Sequence, residues 1–472
     1  MGKAASGARV VRLPTPVGRQ SEVVYLDSDR DQVVLGTAGS GKTTMAVHRA
    51  IYLANSMLGH GGRTLLVTYN TALTGYLKHL AGSSGDLDIR TYHRVARGYL
   101  NSRRLMRYGA IVDDRPRRIL LAEALEDVKT GSKPSELFSK PLDFFKDELD
   151  WISGHGHRER AAYMAAERRG RIDPLRPRHR ELVWSFREAY LRRRTAAGLL
   201  YDWWDLPSAM LDALATDTSP RMYRHVVIDE AQDLPPEAIR SLKNLVQPGG
   251  TVTLFADYAQ QLYGQRSSYA ACGLKISKVE EFKENYRNSA GIAKLAIATA
   301  ALPHFRDRAD LVVPTAPAAE GVPPTLYRAS SAADELAAVR TQAAQFASTG
   351  TVAILTRSRA AARAAALGLP YTELHENHEW TAESGLYVGT YYSAKGLEFD
   401  AVILPHLDSA SFPDADQIAA FGEPEARERD ARLIYVGVTR ARSELLVTYQ
   451  SELTELLPPP RSGLWAVAAG GS

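Results

Sequence analysis

Gln32-Val33-Val34-Leu35-Gly36-Thr37-Ala38-Gly39-Ser40-Gly41-Lys42-Thr43 reads as a short buried strand running into a glycine-rich turn. From Gly36 to Thr43 it matches G-x-x-x-x-G-K-[ST], the phosphate-binding P-loop pattern. Small residues let backbone N–H groups wrap a β-phosphate, and the N-terminus of a following helix, Thr44–Leu53, adds partial positive charge. In such a loop Lys42 reaches the β- and γ-phosphates and the Thr43 hydroxyl ligates Mg²⁺. The expected phosphate set is Gly36, Thr37, Ala38, Gly39, Ser40, Gly41, Lys42, Thr43 and Thr44.

A nucleotide site also needs a second magnesium group and a base. His225-Val226-Val227-Ile228-Asp229-Glu230 supplies both at the end of a buried run. Asp229 would hold the Mg²⁺ shell, and Glu230 would orient or deprotonate water. Around these motifs, short β-rich runs form two blocks separated by helical stretches. The first holds Gln32–Leu35, Thr64–Thr68, His225–Ile228 and Thr251–Phe255; the second holds Val352–Leu355, Tyr387–Val388, Ala401–Leu404 and Leu445–Thr448. Runs of this kind predict parallel strands between helices, hence two α/β domains with ligands at the carboxyl ends of the strands.

The 472 residues leave room for about three domains. With one cysteine, Cys272, a disulfide framework and a thiolate metal cluster are excluded. The net charge of +4 says little, but residues 96–200 hold 23 Lys and Arg against 15 Asp and Glu. This segment, with amphipathic patterns at Arg117–Val128 and Glu181–Thr195, predicts a basic helical insertion suited to a polyanion. Arg306–Ser330 reads as an irregular surface connection, and the tail at 458–472 as mobile. The absence of a membrane-length apolar run or signal peptide predicts a cytoplasmic protein with no membrane partner.

Four ordered blocks carry a resemblance: Asp229-Glu230-Ala231-Gln232-Asp233, Asn285-Tyr286-Arg287-Asn288-Ser289, Ser393-Ala394-Lys395-Gly396-Leu397-Glu398-Phe399 and Tyr435-Val436-Gly437-Val438-Thr439-Arg440-Ala441-Arg442. From Gln20 to Tyr449 the chain resembles a superfamily 1 helicase of the UvrD/Rep/PcrA type. The resemblance implies two RecA-like motor domains, 1–95 with 201–282 and 283–457, and a 1B-like insertion at 96–200. It implies that Gln20 reads adenine, Arg49 lines the pocket, Tyr286 stacks on the base and Glu398 bonds the ribose. Gln232 and Gln260 would sense the γ-phosphate and the strand, while Arg287 and Arg440 would reach across from the second domain to the γ-phosphate.

For the strand track, the resemblance singles out Tyr69, Asn70, Thr91, His93, Tyr263 and Thr390. Where relatives carry a tryptophan after the stacking tyrosine this chain has Gln265, and where they carry histidine it has Tyr392. Tyr391 and Tyr392 are the candidate replacement platforms. Relatives also insert a domain before Thr390, whereas here only Tyr371–Gly385 follows Pro370, with four glutamates and no Lys or Arg. The insertion is then the main accessory surface, with Arg158, Arg160, Arg168, Arg169, Arg171, Arg176, Arg178 and Arg180 as its expected DNA footprint.

These readings predict an ATP- and Mg²⁺-dependent translocase or helicase moving 3′→5′ on single-stranded DNA or single-strand/duplex junctions. The alternative is a DNA-sensing ATPase that switches a protein partner, such as a nuclease or repair factor. Nothing in the sequence separates DNA from RNA.

Overall fold

The structure is a computed structural model describing residues 13–37, 39–68, 74, 77–78, 85–168, 171–172, 174–257, 269–276, 278–283, 285, 288–305, 322–374 and 383–469. Six strands form the first sheet: β1 (Gln32–Gly36), β2 (Thr64–Thr68), β3 (Leu87–Thr91), β4 (Tyr223–Ile228), β5 (Val246–Ala256) and β6 (Val279–Phe282). Their order is β3-β2-β4-β5-β1-β6, and every pairing is parallel. Alternation divides the strand residues between two helical layers. Val34, Leu66, Val227 and Phe255 meet Met45, Ala46 and Leu53 on one face. Val33, Leu65, Val226 and Leu254 meet Val95, Met210 and Leu242 on the other. Strands covered on both sides have little room for polar residues, which is why these runs were continuous in sequence.

The second sheet contains β7 (Thr325–Arg328), β8 (Thr351–Thr356), β9 (Thr372–Glu373), β10 (Gly385–Thr390), β11 (Phe399–Leu404), β12 (Ala441–Tyr449) and β13 (Ala466–Ala469). It is again parallel throughout, in the order β13-β7-β12-β11-β8-β10-β9. Two sequence expectations change here. The supposed irregular connection Arg306–Ser330 contains β7. The tail expected to be mobile supplies β13, which extends the sheet beside β7. Trp465 anchors that strand: it is buried, and its Nε1 donates to the Pro458 carbonyl at 3.0 Å.

The helical insertion between β3 and β4 has its own core, in which Leu121, Leu125, Phe145, Val183, Phe186 and Tyr190 pack together. The two expected helices run over Asp114–Gly131 and Pro177–Ala196. Its neck is narrow: Val112 N donates to Tyr201 O and Tyr201 N to Ala110 O, each at 2.9 Å. The boundary expected at Ala96 falls instead inside the helix Tyr92–Ser102, whose Tyr92, Val95, Ala96 and Leu100 belong to the first sheet's core.

The expected arginine footprint also requires correction. Arg168 is bound by Glu148 at 2.6 Å, and Arg171 lies between Asp147 and Glu425. Arg158 pairs with Asp212, Arg160 with Glu181, and Arg176 and Arg178 share Glu136. Arg180 donates to the carbonyls of Tyr163, Met164 and Ala166; Arg169 lies outside the described residues. Most of these arginines are thus engaged with acidic side chains, two of which, Asp212 and Glu425, lie outside the insertion. Arg171 also ties it to the second domain, where Arg429 pairs with the same Asp147 at 2.8 Å and Phe421 joins the insertion's core.

Candidate active site at the cleft between the sheets

β1 ends at Gly36, and the turn that follows depends on two glycines. Gly39 (φ 76°) and Gly41 (φ 85°) sit in the left-handed region that side chains rarely adopt. A Cβ on Gly39 would also lie 2.2 Å from Asn285 Oδ1, and one on Gly41 2.6 Å from Gln20 Nε2. The loop is therefore shaped from both sides, and the helix Lys42–Ala54 begins directly behind it. The hydroxyls of Thr37 and Ser40 are buried without a hydrogen-bond partner among the described residues. Such groups carry a desolvation penalty unless a ligand satisfies them.

Asp229 and Glu230 follow β4. Both carboxylate oxygens of Asp229 are buried and make no well-aligned hydrogen bond among the described residues, although the Thr43 hydroxyl lies close enough to favour the charged form. Burial and then the Glu230 charge push its pKa up to about 7, against the Thr43 hydroxyl and Lys42. A buried acid beside a threonine hydroxyl fits a magnesium site. Glu230, at φ 54°, is drawn the other way. Burial opposes its ionisation, but the charges of Lys395, Lys42 and Arg440 outweigh it and hold its carboxyl below the ordinary value. Gln232 Nε2 donates to Glu230 Oε2 and fixes its orientation. Neighbouring carboxyls with diverging pKa values are suited to different tasks, one toward a cation and one toward water.

Across the cleft stand Gly396, Glu398, Thr439 and Arg440, which with Gly39, Gly41, Lys42, Thr43 and Glu230 line one pocket. The first sheet contributes the carboxyl ends of β1 and β4, as the sequence reading expected. The second contributes residues that precede β11 and β12, so it faces the cleft from its amino ends. Arg440 is buried, with Nε donating to Val436 O at 3.1 Å and Nη2 to Thr439 Oγ1 at 3.2 Å. Glu398 accepts from Arg442 at 3.2 Å. Lys395, absent from the expected site set, reaches back over the cleft to Asp233 Oδ1 at 2.6 Å. Burial pushes the Asp233 carboxyl up to about 7 although Lys395 opposes it.

Other expected positions divide three ways. Gln20 lies beneath the loop, its Nε2 donating to Ser40 O at 2.9 Å and its Oε1 accepting from Val17 N at 3.1 Å. A primary amide engaged once at each end keeps a donor and an acceptor site for a base edge. Arg49 does not line the cleft. It sits two turns, about 10 Å, along the helix from Lys42, where it donates to the carbonyls of Val24, Leu26 and Asp27 and burial lowers its pKa to about 10. Thr44 is half-buried on the same helix and outside the cleft lining. Ala38, Tyr69, Asn70, Gln260, Tyr263, Tyr286 and Arg287 lie outside the described residues.

On the expected track, Thr91 is buried where β3 turns into a helix. His93 packs 5.0 Å from the Trp203 ring, and burial pushes its pKa down to about 4, so it is neutral at pH 7. Thr390 is half-buried and exchanges hydrogen bonds with Ser393, its N donating to Ser393 Oγ at 2.8 Å. Of the two replacement platforms, Tyr391 is excluded: its ring is buried against Gly437 and Phe412. Tyr392 is 44% exposed.

The chain matches the family model of the UvrD/REP helicase N-terminal domain over residues 18–280 and that of the UvrD-like helicase C-terminal domain over 369–452. It is 24% identical over 541 residues to the ATP-dependent DNA helicase UvrD2 of Mycobacterium tuberculosis, covering 88% of this chain and 76% of that protein. That alignment is longer than this chain, so the relative carries inserted sequence. Shorter stretches match a probable DNA helicase II homolog of Rickettsia conorii (42% over 60 residues, 13% of this chain and 9% of that protein). The ATP-dependent DNA helicase PcrA of Staphylococcus aureus is 37% identical over 71 residues, 15% of this chain and 10% of that protein. The chain thus spans a small part of the helicase II length it matches. Since the first model alone accounts for more than half of the chain, and two parallel α/β sheets meet at its phosphate loop, the chain belongs to the UvrD/Rep helicase family.

Proposed function

We infer that this protein is an ATP- and Mg²⁺-dependent translocase or helicase moving 3′→5′ along single-stranded DNA. The observation that carries the reading is the cleft itself: Lys42 and Glu230 stand on one sheet and Arg440 on the other. Bound Mg²⁺-ATP would supply the phosphoanhydride to be cleaved and neutralise charge on its oxygens. Thr43 and Asp229 are the residues to hold the metal, and Thr37 and Ser40 to receive phosphate oxygens. Glu230 orients water and accepts its proton. Lys42 and Arg440 present positive charge from opposite sides, a kind of contribution worth about 10³–10⁵ in rate for a single arginine. Because the charges belong to different domains, turnover requires closure, and closure moves one part of the strand track against the other. Lys42→Ala is expected to reduce strand-stimulated phosphate release to background; persistent hydrolysis in that variant would refute the site.

A second reading, an ATPase switch acting on a nuclease or repair partner, draws support from the short link 374–384 between β9 and β10. That link is too small for a duplex-gripping domain. Forked-duplex assays separate the readings: strand separation favours the helicase, and ATP turnover without it favours the switch. No described helix is long and apolar enough to cross a membrane, and we place the protein's action in the cytoplasm, on single strands or junctions.

A further inference from the structure

From Ile89 to Val112 the chain holds six arginines and no acidic residue. Two of the six are committed: Arg103 pairs with Asp217 at 2.9 Å and Arg90 with Asp88 at 3.7 Å. Arg94, Arg97, Arg104 and Arg107 are exposed and form no ion pair among the described residues. Arg158, Arg160, Arg176 and Arg178 are exposed too, yet each of those reaches a carboxylate. Arg94 and Arg97 share one face of the helix Tyr92–Ser102, and Arg104 closes that helix. Its φ of 59° lies in the left-handed region where glycine is the usual residue. Arg104 N donates to Asn101 O at 2.9 Å and Leu105 N to Leu100 O at 3.0 Å. An arginine in this conformation carries a steric cost that no ion pair among the described residues offsets. The next turn is closed by Ala110 N on Arg107 O at 3.2 Å, with Gly109 at φ 75°. Tyr108 stands fully exposed at its corner, and Leu105 just before it is half exposed.

We propose that this turn, with the Arg94 and Arg97 stripe leading to it, is a second binding site for single-stranded nucleic acid, outside the nucleotide cleft. Guanidinium groups meet phosphates, and the Tyr108 ring stacks on an unpaired base. A duplex offers the arginines its backbone but gives the ring no free base face. The surface stands apart from the ATP chemistry: β3, which leads into the helix, is four strands from β1, roughly 19 Å across the sheet. The site goes beyond the ATPase reading and does not depend on it.

Tyr108→Ala is expected to weaken binding of an oligothymidylate of about 30 nucleotides by about fivefold or more. Fluorescence anisotropy on the full chain without nucleotide reads this. The same substitution should change binding of a blunt duplex by less than about twofold. Arg104→Gly combined with Arg107→Ala should lower the salt slope of oligothymidylate binding by about 1.4. Arg104→Gly alone suits the backbone, so its melting temperature should hold or rise while its affinity falls. Unchanged affinity in Tyr108→Ala, an unchanged slope in the arginine pair, or affinity that falls only together with melting temperature would each overturn the proposal. An equal loss on duplex would reassign the surface to backbone binding alone. Tighter binding of polyglutamate than of oligothymidylate, lost in the same variants, would reassign it to an acidic protein segment. Either result overturns the single-strand site. If the chain never hydrolyses ATP, the ATPase reading fails while these binding measurements still decide the role of Tyr108.

Discussion

The side chain of Glu335 shows how firmly one buried acid can be held. It is inaccessible to solvent and accepts from His406 N and Nδ1, each at 2.9 Å, from Thr448 Oγ1 at 2.6 Å and from Gln450 Nε2 at 2.8 Å. Burial opposes its charge, yet these donors bring its pKa down to about 2. The hydrogen bond to Glu335, working against burial, raises that of His406. A depressed acid stabilises the fold above its ordinary value near 4.3 and loses that contribution as the pH falls toward 2. A raised histidine stabilises it fully below its ordinary value near 6.5 and loses that contribution as the pH rises through its folded value. Glu335→Gln is therefore expected to lower unfolding free energy by about 2–4 kcal/mol, most between roughly pH 4.5 and 6.5. Urea titrations at pH 6 and pH 3 check this, with the smaller difference expected at pH 3. None of it was legible in the sequence, because Glu335 meets Thr448 across 113 positions. The phosphate loop and Asp229-Glu230 were legible because their chemistry is local. The pairs Lys395–Asp233 and Lys42–Asp257, separated by 162 and 215 positions, were not.

Among the elements, the central strands and long helices were readable, while β3, β6, β7, β9 and β13 were missed. Each is short, and all lie at or next to a sheet edge, where residues such as those in Leu87-Asp88-Ile89-Arg90-Thr91 need not be uniformly apolar. The insertion's charge misled for another reason: composition counts arginines but not their partners. Arg171→Ala is expected to destabilise the protein by about 1–3 kcal/mol, since it removes a buried guanidinium from Asp147 and Glu425, both of which keep Arg429. Arg176→Ala should stay within about 0.5 kcal/mol, its pair being exposed. Arg94 and Arg97 are exposed on Tyr92–Ser102 and form no ion pair among the described residues. Neutralising both is expected to reduce the salt slope of single-strand binding by about 1.4. Neutralising Arg176 and Arg178 should leave that slope nearly unchanged. Denaturant melts and salt titrations of oligonucleotide binding test the two halves of this contrast.

At the scale of the whole molecule, contacts from loop to carboxylates to the second sheet make the cleft a joint between domains. The sequence predicted both sheets and their motifs but not how they touch, because no local pattern encodes a contact such as Lys395 on Asp233. Lys395→Ala and Asp233→Asn should each lower strand-stimulated kcat. The double variant is expected to lose little more than either single one, a coupling of about 1–3 kcal/mol in a cycle built on kcat. The C-terminal strand β13 acts on a different property of the whole. It covers the outer edge of β7, whose N–H and C=O groups would otherwise face solvent in a row. Unpaired edges of this kind template association between chains. Because β13 is itself outermost in the sheet, a version shortened before Ala466 would retain the cleft and its charges and pass the role of edge strand to β7, a change in how chains meet one another rather than in catalysis.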